Sequence, residues 1–330
     1  MLLPMRAIVI TSPGGPEVLR MKQVAEPLPG HEEVGVRVRA VGVNRADLLQ
    51  RRGLYPAPPG VPEDVPGLEF AGEVARCGER VQSLQVGDRV MGLIGGGAYA
   101  EQVVVHERLC MRVPPGLTWE AAAAVPEAFV TAYDALFRLG GLCAGEVALV
   151  QAAGSGVGTA AVQLALAAGA RGIGLSRSEE KRRRLGQLGL QQVLDPNRPD
   201  VADAILLASR GDGVDVVLDL IGAAAWPLHE RVLRERGRLV LVGLLGGARV
   251  ELDLAALMRK RLTLVGTLLR SRSRDEKATL IQEFASRILP LITAGRVTPI
   301  LYCTLGLEQA AEAHTLMERN ENFGKIVLRV

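Results

Sequence analysis

From Glu146 onward, apolar runs of strand length alternate with runs of helix length. The strand-like runs are, in order, EVALVQAA, RGIGLS, LQQVLD, VDVVLDLIG, GRLVLVG and LTLVGT. Between them stand the helical runs VGTAAVQLALAAGA, SEEKRRRLGQLG, VADAILLASR, a stretch near Ala225–Arg236, and LDLAALMRKR. This alternation predicts an α/β fold, a doubly wound six-stranded parallel sheet with helices on both faces.

The first 126 residues follow another pattern, in which short strand-like runs are separated by turns such as SPGGPE, PLPGHEE and PAPPGVPEDVPG. Examples of the strand-like runs are Arg6–Ile10, Gly35–Gly42, Gly72–Val74, Arg89–Met91 and Ala100–Val105. This half predicts an irregular β-rich domain. Two helical runs and a last strand, GKIVLRV, close the chain, and we expect that strand to return to the first domain. The predicted domains are therefore 1–126 with 269–330, and 127–268.

Length and charge narrow the class of protein. A chain of 330 residues exceeds a comfortable single core, so two domains are expected. The 39 basic and 36 acidic residues are dispersed, without the basic patch typical of nucleic-acid binders, and the run Lys181–Arg184 reads mainly as a solvated helix face. Four isolated cysteines indicate neither a zinc ribbon nor a redox dithiol. MLLP is too short for a signal-peptide core and no apolar run reaches membrane-spanning length, so we expect a cytoplasmic protein with no membrane partner.

The first strand–helix junction of the α/β region carries the segment LVQAAGSGVGTA. Against the dinucleotide fingerprint G-x-G-x-x-G, it has Ala and Ser at two of the three glycine positions. The bare alternative is a tight turn without a ligand. The strand–turn–helix context within six alternating β segments favours a Rossmann-type pyrophosphate loop, because a helix N-terminus attracts phosphate. The loop residues expected at the cofactor are Gly154, Ser155, Gly156 and Val157.

The end of the second β segment indicates which dinucleotide binds. NAD-binding domains place an Asp or Glu there to hold the ribose 2′-hydroxyl, whereas this chain has Ser176 and Arg177. Both side chains, with Lys181 one helical turn further on, would attract a 2′-phosphate. A solvent-facing helix start capped by Ser178 is compatible with the same residues. We predict NADPH as the cofactor in preference to NADH.

Several further segments, in order along the chain, resemble the medium-chain dehydrogenase/reductase superfamily, and more narrowly its zinc-free quinone oxidoreductase branch. They are VNRADL, GLEFAG, VGDRV and AAGSGVG. The nearest likeness is to the tumour-suppressor-inducible NADPH quinone oxidoreductases, through VNRADLLQRRGLYPAPPG, AAAVPEAFVTAYDAL, SGVGTAA, LLRSR and NFGKIVL. The resemblance covers nearly the whole chain. It implies a Rossmann NADP-binding domain, a GroES-like catalytic domain and a homodimer.

Zinc alcohol dehydrogenases of the same superfamily hold their catalytic metal with Cys, His and Cys, and the matching positions here are Asn44, Leu68 and Glu127. Leucine cannot bind a metal, and the four-cysteine structural lobe is also absent. We therefore expect no metal site, and no Lewis acid for alcohol oxidation. What remains is hydride transfer from a nicotinamide to a quinone or an activated enone in the interdomain cleft.

The resemblance also assigns the site residues. It places Asn44 and Asp47 beside the nicotinamide, Tyr55 at the mouth of the cleft as a donor to the reduced carbonyl, and Thr131 at the ribose–phosphate end. Asn44 could instead cap a helix, Thr131 could be helix filler, and Tyr55 could be a loop anchor. Further cofactor contacts are expected at Gly222, Leu244, Leu269 and Asn322.

One departure bears on the cofactor. Relatives often carry a Tyr near the end of the third strand of the cofactor domain, where this chain has Asp195 followed by Pro196. Three functions remain open from the residues: reduction of quinones, reduction of activated C=C bonds in enoyl thioesters or alkenals, and NADPH binding without catalysis.

Overall fold

A computed structural model describes residues 3–330, so the first two residues, on which part of the signal-peptide prediction falls, lie outside the described residues. The described chain forms two compact units. The first comprises the residues up to Val130 together with Leu269–Val330, and the second is Thr131–Leu268. No helix within residues 3–330 is long and apolar enough to cross a membrane.

Strands and helices are numbered along the chain. The strands are β1 (Pro4–Ile10), β2 (Leu19–Ala25), β3 (Glu33–Gly42), β4 (Glu69–Cys77), β5 (Arg89–Leu93), β6 (Gln102–His106), β7 (Cys110–Arg112), β8 (Val147–Val150), β9 (Arg171–Leu175), β10 (Gln192–Leu194), β11 (Val214–Asp219), β12 (Leu233–Leu241), β13 (Thr263–Gly266), β14 (Leu301–Gly306) and β15 (Lys325–Arg329). The helices are α1 (Arg45–Arg51), α2 (Trp119–Ala123), α3 (Pro126–Tyr133), α4 (Gly156–Ala167), α5 (Glu179–Gln187), α6 (Val201–Ala208), α7 (Trp226–Val232), α8 (Leu254–Lys260), α9 (Arg274–Thr293) and α10 (Ala310–Glu318).

The first unit is built on a sheet with the strand order β14-β15-β3-β4-β5-β7, and β6 also pairs with β3. Its core is formed by alternating apolar residues, such as Val36 and Val38 of β3, that pack with Phe70 of β4. Strand β15 pairs antiparallel with β3, with Leu328 opposite Val41. The end of the chain thus completes a sheet that begins near its start, and the predicted β-rich GroES-like fold is confirmed.

The sequence pattern did not predict every strand of this unit, and it predicted one strand shorter than it is. The predicted run Gly72–Val74 is the middle of the longer β4, and β2 was not predicted. Strand β2, LRMKQVA, pairs with β1 but exposes Arg20 and Lys22, so its charged positions hide the strand pattern.

The second unit confirms the predicted six-stranded sheet. Its strands lie in the order β10-β9-β8-β11-β12-β13, and every neighbouring pair is parallel. The central strands β8 and β11 are buried along their whole length, which explains why they read as unbroken apolar runs. From β8 the chain winds first toward β10 and then, from β11, toward β13. The carboxyl ends of β8 and β11 therefore flank the switch point at which doubly wound sheets bind ligands.

The predicted helix near Ala225–Arg236 is wrong at its end. Helix α7 stops at Val232, and the following Leu233 already pairs with β11. The register then shifts, and Arg236 adopts a left-handed backbone with φ of 60°. An exposed, charged strand start of this kind has the same composition as a solvated helix face, which is why the pattern misled.

Candidate functional site

The glycine-rich turn joins β8 to α4 and is anchored to the neighbouring strand. The Ala153 N–H donates to the Leu175 carbonyl of β9 at 3.0 Å. Ser155 is the N-cap of α4, and its Oγ accepts the Gly158 N–H at 3.0 Å. The serine oxygen thus closes the first helical turn, while its hydroxyl hydrogen can still point to a ligand.

One glycine of the turn is required by close packing against the backbone, and another lies against a lysine side chain. A Cβ at Gly158 would lie 2.5 Å from the Ala152 carbonyl oxygen, so this position needs glycine for the helix to approach the strand. A Cβ at Gly154 would lie 2.9 Å from Cδ of Lys181, so the lysine stem lies across the turn. The free N–H groups of the first turn of α4 begin at this same turn and carry the positive end of the helix dipole. The residues present therefore fit the pyrophosphate of a dinucleotide.

The end of β9 carries the residues expected at the 2′-phosphate. Ser176 is buried, and Arg177 is exposed. Ser178 caps α5, with its Oγ accepting the Lys181 N–H at 3.3 Å. The capping interpretation is therefore correct, and the Lys181 side chain packs against Gly154 of the glycine-rich turn. No carboxylate stands at the position that holds a ribose 2′-hydroxyl in NAD-binding domains.

Arg182 lies inward rather than on the solvated face expected of the basic run. Its Nη1 donates to the carbonyls of Ser176 and Arg177, each at 2.9 Å, and to Asp195 Oδ2 at 3.1 Å. Asp195, at the position where relatives often have Tyr, is therefore ion-paired. Its charge is balanced within the protein, and the backbone at the end of β9 is held rigid.

Gly222 and Leu244 come together beyond β11. The buried Asp219 carboxylate accepts the N–H groups of Ile221 and Gly222, which shapes the turn after the strand. Gly222 has φ of 80°, and a Cβ there would lie 2.6 Å from the Gly247 carbonyl oxygen. The same Cβ would lie 3.0 Å from Cδ2 of Leu244. Both predicted residues thus lie near the carboxyl end of the second central strand.

In the first unit, Asn44 is the N-cap residue of α1 and its side chain is held by a buried ion pair. Its Nδ2 donates to Glu69 Oε1 at 2.9 Å. The Lys325 ammonium donates to Asn44 Oδ1 and to Glu69 Oε1, both at 2.6 Å, and to the Val43 carbonyl at 2.8 Å. Sequence reasoning missed Glu69 and Lys325, although both lie in motifs that carried the resemblance, GLEFAG and NFGKIVL.

Asp47 is fully buried, and both carboxylate oxygens accept hydrogen bonds. Oδ2 accepts the Asn44 N–H at 2.7 Å and the Tyr99 hydroxyl at 3.1 Å, and Oδ1 accepts the Gly67 N–H at 3.2 Å. Burial raises the pKa of Asp47 to about 6. Tyr99 in turn contacts His314 Nε2 at 3.2 Å, and burial lowers the pKa of His314 to about 3, so the imidazole is neutral. Asp47 therefore fixes the segment that carries Asn44.

The remaining four predicted residues are buried or half-buried. Tyr55 is half-buried, and burial raises the pKa of its phenol, so it carries its proton at neutral pH. Thr131 of α3 and Leu269 are half-buried. Asn322 is buried, and its Nδ2 donates to the Gly324 carbonyl at 2.8 Å, directly before β15. The contacts of these four residues with a cofactor remain predictions.

The positions that match zinc ligands have a poor donor set. Leu68 is buried and apolar, and the Asn44 amide is engaged by Lys325 and Glu69. The Glu127 N–H donates to Glu69 Oε2 at 2.7 Å, and burial together with the Glu69 charge raises the pKa of Glu127 to about 8. Within residues 3–330 no group of three or more His, Cys, Asp or Glu side chains could hold a metal ion. These residues do not fit a tetrahedral zinc site.

The stability of Glu127→Gln relative to wild type is expected to increase as the pH rises from 5 to 8.5. The folded-state pKa of about 8 lies above the ordinary 4.5, so the folded protein keeps a proton that the unfolded chain has released. Wild-type stability therefore falls across this interval, whereas glutamine does not titrate, and the difference should grow by roughly 1–3 kcal/mol. Urea denaturation at pH 5 and pH 8.5 measures it. Glu251→Gln, at an exposed position, is the control, and parallel pH dependences of wild type and Glu127→Gln would contradict the assignment.

Comparison with known proteins places the chain among dehydrogenases and reductases. A family model described as "Alcohol dehydrogenase GroES-like domain" matches residues 30–115, and one described as "Zinc-binding dehydrogenase" matches residues 156–286. A quinone oxidoreductase of Pseudomonas aeruginosa is 36% identical over 320 residues, which is 96% of each chain. A mycobacterial protein in complex with NADPH is 30% identical, with a TM-score of 0.89 over 99% of this chain and 100% of the other. The CurK enoyl reductase is 26% identical, with a TM-score of 0.86 over 98% and 99%.

Proposed function

Because this chain belongs to the quinone oxidoreductase branch of the medium-chain dehydrogenase/reductase superfamily, we propose that it is an NADPH-dependent quinone reductase that works without zinc. Membership makes it an oxidoreductase that uses a nicotinamide cofactor on a small-molecule substrate. The choice of cofactor and of substrate is the proposal.

The observation that carries the cofactor choice is the basic, carboxylate-free end of β9. Arg177 is exposed there, and the Lys181 stem crosses the glycine turn at Gly154. The nearby Asp195 is paired with Arg182 and so does not repel a phosphate. Hydrogen bonds to charged groups contribute about 1.5–3 kcal/mol each, so two cationic side chains are enough to favour a 2′-phosphate over a hydroxyl.

The absence of fitting zinc ligands supports a substrate that is already electrophilic. When bound, the reduced nicotinamide supplies a hydride to such an acceptor. In this proposal, the protein's own residues hold the substrate in place and protonate its oxygen. Asn44 and Asp47 belong to a rigid, hydrogen-bonded segment of the site. Tyr55 donates its phenolic proton to the substrate oxygen.

A second candidate function is the reduction of activated C=C bonds. The specific observation in its favour is the likeness to an enoyl reductase over nearly the full chain. Tyr55 would then protonate the carbon next to the thioester or carbonyl group after hydride addition. Enoyl thioesters and alkenals therefore belong among the acceptors that are tested.

We also propose a homodimer formed through the second unit. Strand β13 is the edge of the parallel sheet, and it is exposed for most of its length. Large apolar side chains are exposed near it, including Leu254, Met258 and Leu264. An unpaired, apolar sheet edge is a natural surface for pairing with a second copy. Sedimentation of the purified protein measures this directly.

Steady-state assays with NADPH and NADH against ortho-quinones, para-quinones, alkenals and enoyl thioesters test the proposal. The expected result is turnover of quinones with NADPH, unchanged after dialysis against a chelator. Faster turnover of enoyl thioesters than of any quinone would transfer the assignment to the second candidate. Oxidation of neither nucleotide with any acceptor would reject both reductase functions.

A further inference from the structure

Arg270 is a buried cation that binds three separate segments of the first unit, and it is 7% exposed. Its Nε donates to the Gly95 carbonyl at 2.7 Å, its Nη2 to Gln50 Oε1 at 2.7 Å, and its Nη1 to the Tyr55 carbonyl at 3.2 Å. The planar guanidinium is suited to this task, because its N–H groups point in fixed directions within one plane. An ammonium group does not reproduce that arrangement.

The same guanidinium lies over the ring of Tyr55. Its Cζ is 4.9 Å from the ring centroid, within the range of a cation–π contact. The Tyr55 residue is therefore held twice by one side chain, at its backbone carbonyl and at its ring face.

The surrounding contacts fix Arg270 itself. Gln50 is buried and donates through Nε2 to the Glu63 carbonyl at 2.9 Å, so the acceptor side chain cannot rotate freely. Lys277 of α9 donates through Nζ to the Arg270 carbonyl at 2.8 Å. The loop that carries Tyr55 is thus tied to α1 and α9 through one arginine.

None of the ion pairs found within residues 3–330 includes Arg270, and the charges of Asp47 and Glu127 act on its guanidinium only from a longer distance. A buried arginine without a directly contacting carboxylate is uncommon, because burial of the charge costs free energy that a partner usually offsets. The Tyr55 ring, by contrast, is in direct contact with the guanidinium.

We propose that Arg270 is the positioning residue of Tyr55, holding its ring in the orientation for proton donation and stabilising the phenolate that donation leaves behind. This inference rests on the proposed function, in which Tyr55 protonates the substrate oxygen. In that step the Tyr55 O–H bond breaks, the proton forms a bond to the substrate oxygen, and solvent returns a proton to the phenolate. The Arg270 charge acts against burial on the pKa of Tyr55, which is the direction that favours release.

A double-mutant cycle tests the coupling, with wild type, Arg270→Met, Tyr55→Phe and the double variant assayed with NADPH and a para-quinone. Arg270→Met is expected to lower kcat about tenfold or more, with the KM for NADPH unchanged within about twofold, whereas in the Tyr55→Phe background it should lower kcat less than about threefold. Arg270→Lys keeps the positive charge but lacks the planar guanidinium. It should therefore recover part of the kcat that Arg270→Met loses. The matched control is Arg274→Met, at an exposed position of α9.

The outcomes separate this inference from the function on which it rests. An equal loss of kcat from Arg270→Met with and without the Tyr55 hydroxyl would overturn the coupling and leave the quinone reductase assignment intact. Full activity of Tyr55→Phe would overturn both the donor role and this inference. If Arg270→Met does not fold, Gln50→Ala, which removes one acceptor of the guanidinium, replaces it in the same cycle, with the same criterion.

Discussion

Lys325→Met is expected to destabilise the protein by about 3–5 kcal/mol, since it leaves the buried Glu69 carboxylate without its cation. Lys325 is 5% exposed and Glu69 is fully buried, and they meet at 2.6 Å. Removal of one partner of such a pair costs the desolvation of the other, not merely one hydrogen bond. The same change removes the donor to Asn44 Oδ1 and leaves the Asn44 side chain held only through its Nδ2, so activity should fall with stability.

Urea denaturation of the folded protein measures this loss. Lys22→Met, at an exposed position of β2, is the matched control and should lie within about 0.5 kcal/mol of wild type. The double variant Lys325→Met with Glu69→Gln should recover much of the stability, because it buries no unpaired charge. A loss below about 1 kcal/mol for Lys325→Met alone would contradict the view that this pair holds the site together.

Replacing both Arg177 and Lys181 by Ala is expected to lower kcat/KM for NADPH by about 10²–10⁴, and to change kcat/KM for NADH much less. The range follows from two hydrogen bonds to a charged phosphate at about 1.5–3 kcal/mol each. The geometry behind it is the exposed Arg177 at the end of β9 and the Lys181 stem across the glycine turn.

Initial rates with both nucleotides at fixed quinone measure this change of preference. Arg183→Ala is the control, because Arg183 lies on the same helix but pairs with Glu180 at the exposed surface. It should alter neither nucleotide's kcat/KM by more than about twofold. Equal losses for NADPH and NADH in the Arg177/Lys181 variant would place the 2′-phosphate elsewhere.

The second unit could be predicted closely from sequence because its signal is local. Strands buried on both faces read as apolar runs, and each of the six predicted β segments corresponds to one strand. The error arose just after Leu233, where β12 continues through the exposed, charged residues 234–236. Strand β2 was missed for the same physical reason, since a half-exposed hairpin carries charges along one side.

The candidate site was harder to predict from the sequence than the fold of the second unit. Asn44 and Asp47 could be proposed from a short motif that carries the resemblance, but the cation that binds the Asn44 side chain is 281 residues away in the chain. Arg270 lies 220 residues from Gln50. Such pairings depend on how strands and loops come together in three dimensions, and the spacing of apolar residues along the sequence does not predict them. The raised pKa of Glu127 likewise depends on burial and on Glu69, neither of which a sequence displays.

The pairing of β15 with β3 also has a consequence for the order in which the chain folds. The second unit is one continuous stretch, so all of its contacts are available as soon as Leu268 has been synthesised. The first unit needs β15, which supplies both the strand between β14 and β3 and the counter-ion of Glu69. Its core therefore stays open while most of the protein is already made, reversing the usual tendency for N-terminal domains to fold first. During that interval the end of β3 that pairs with β15, Ala40–Gly42, is an unpaired strand edge, which is the kind of surface that chaperones protect.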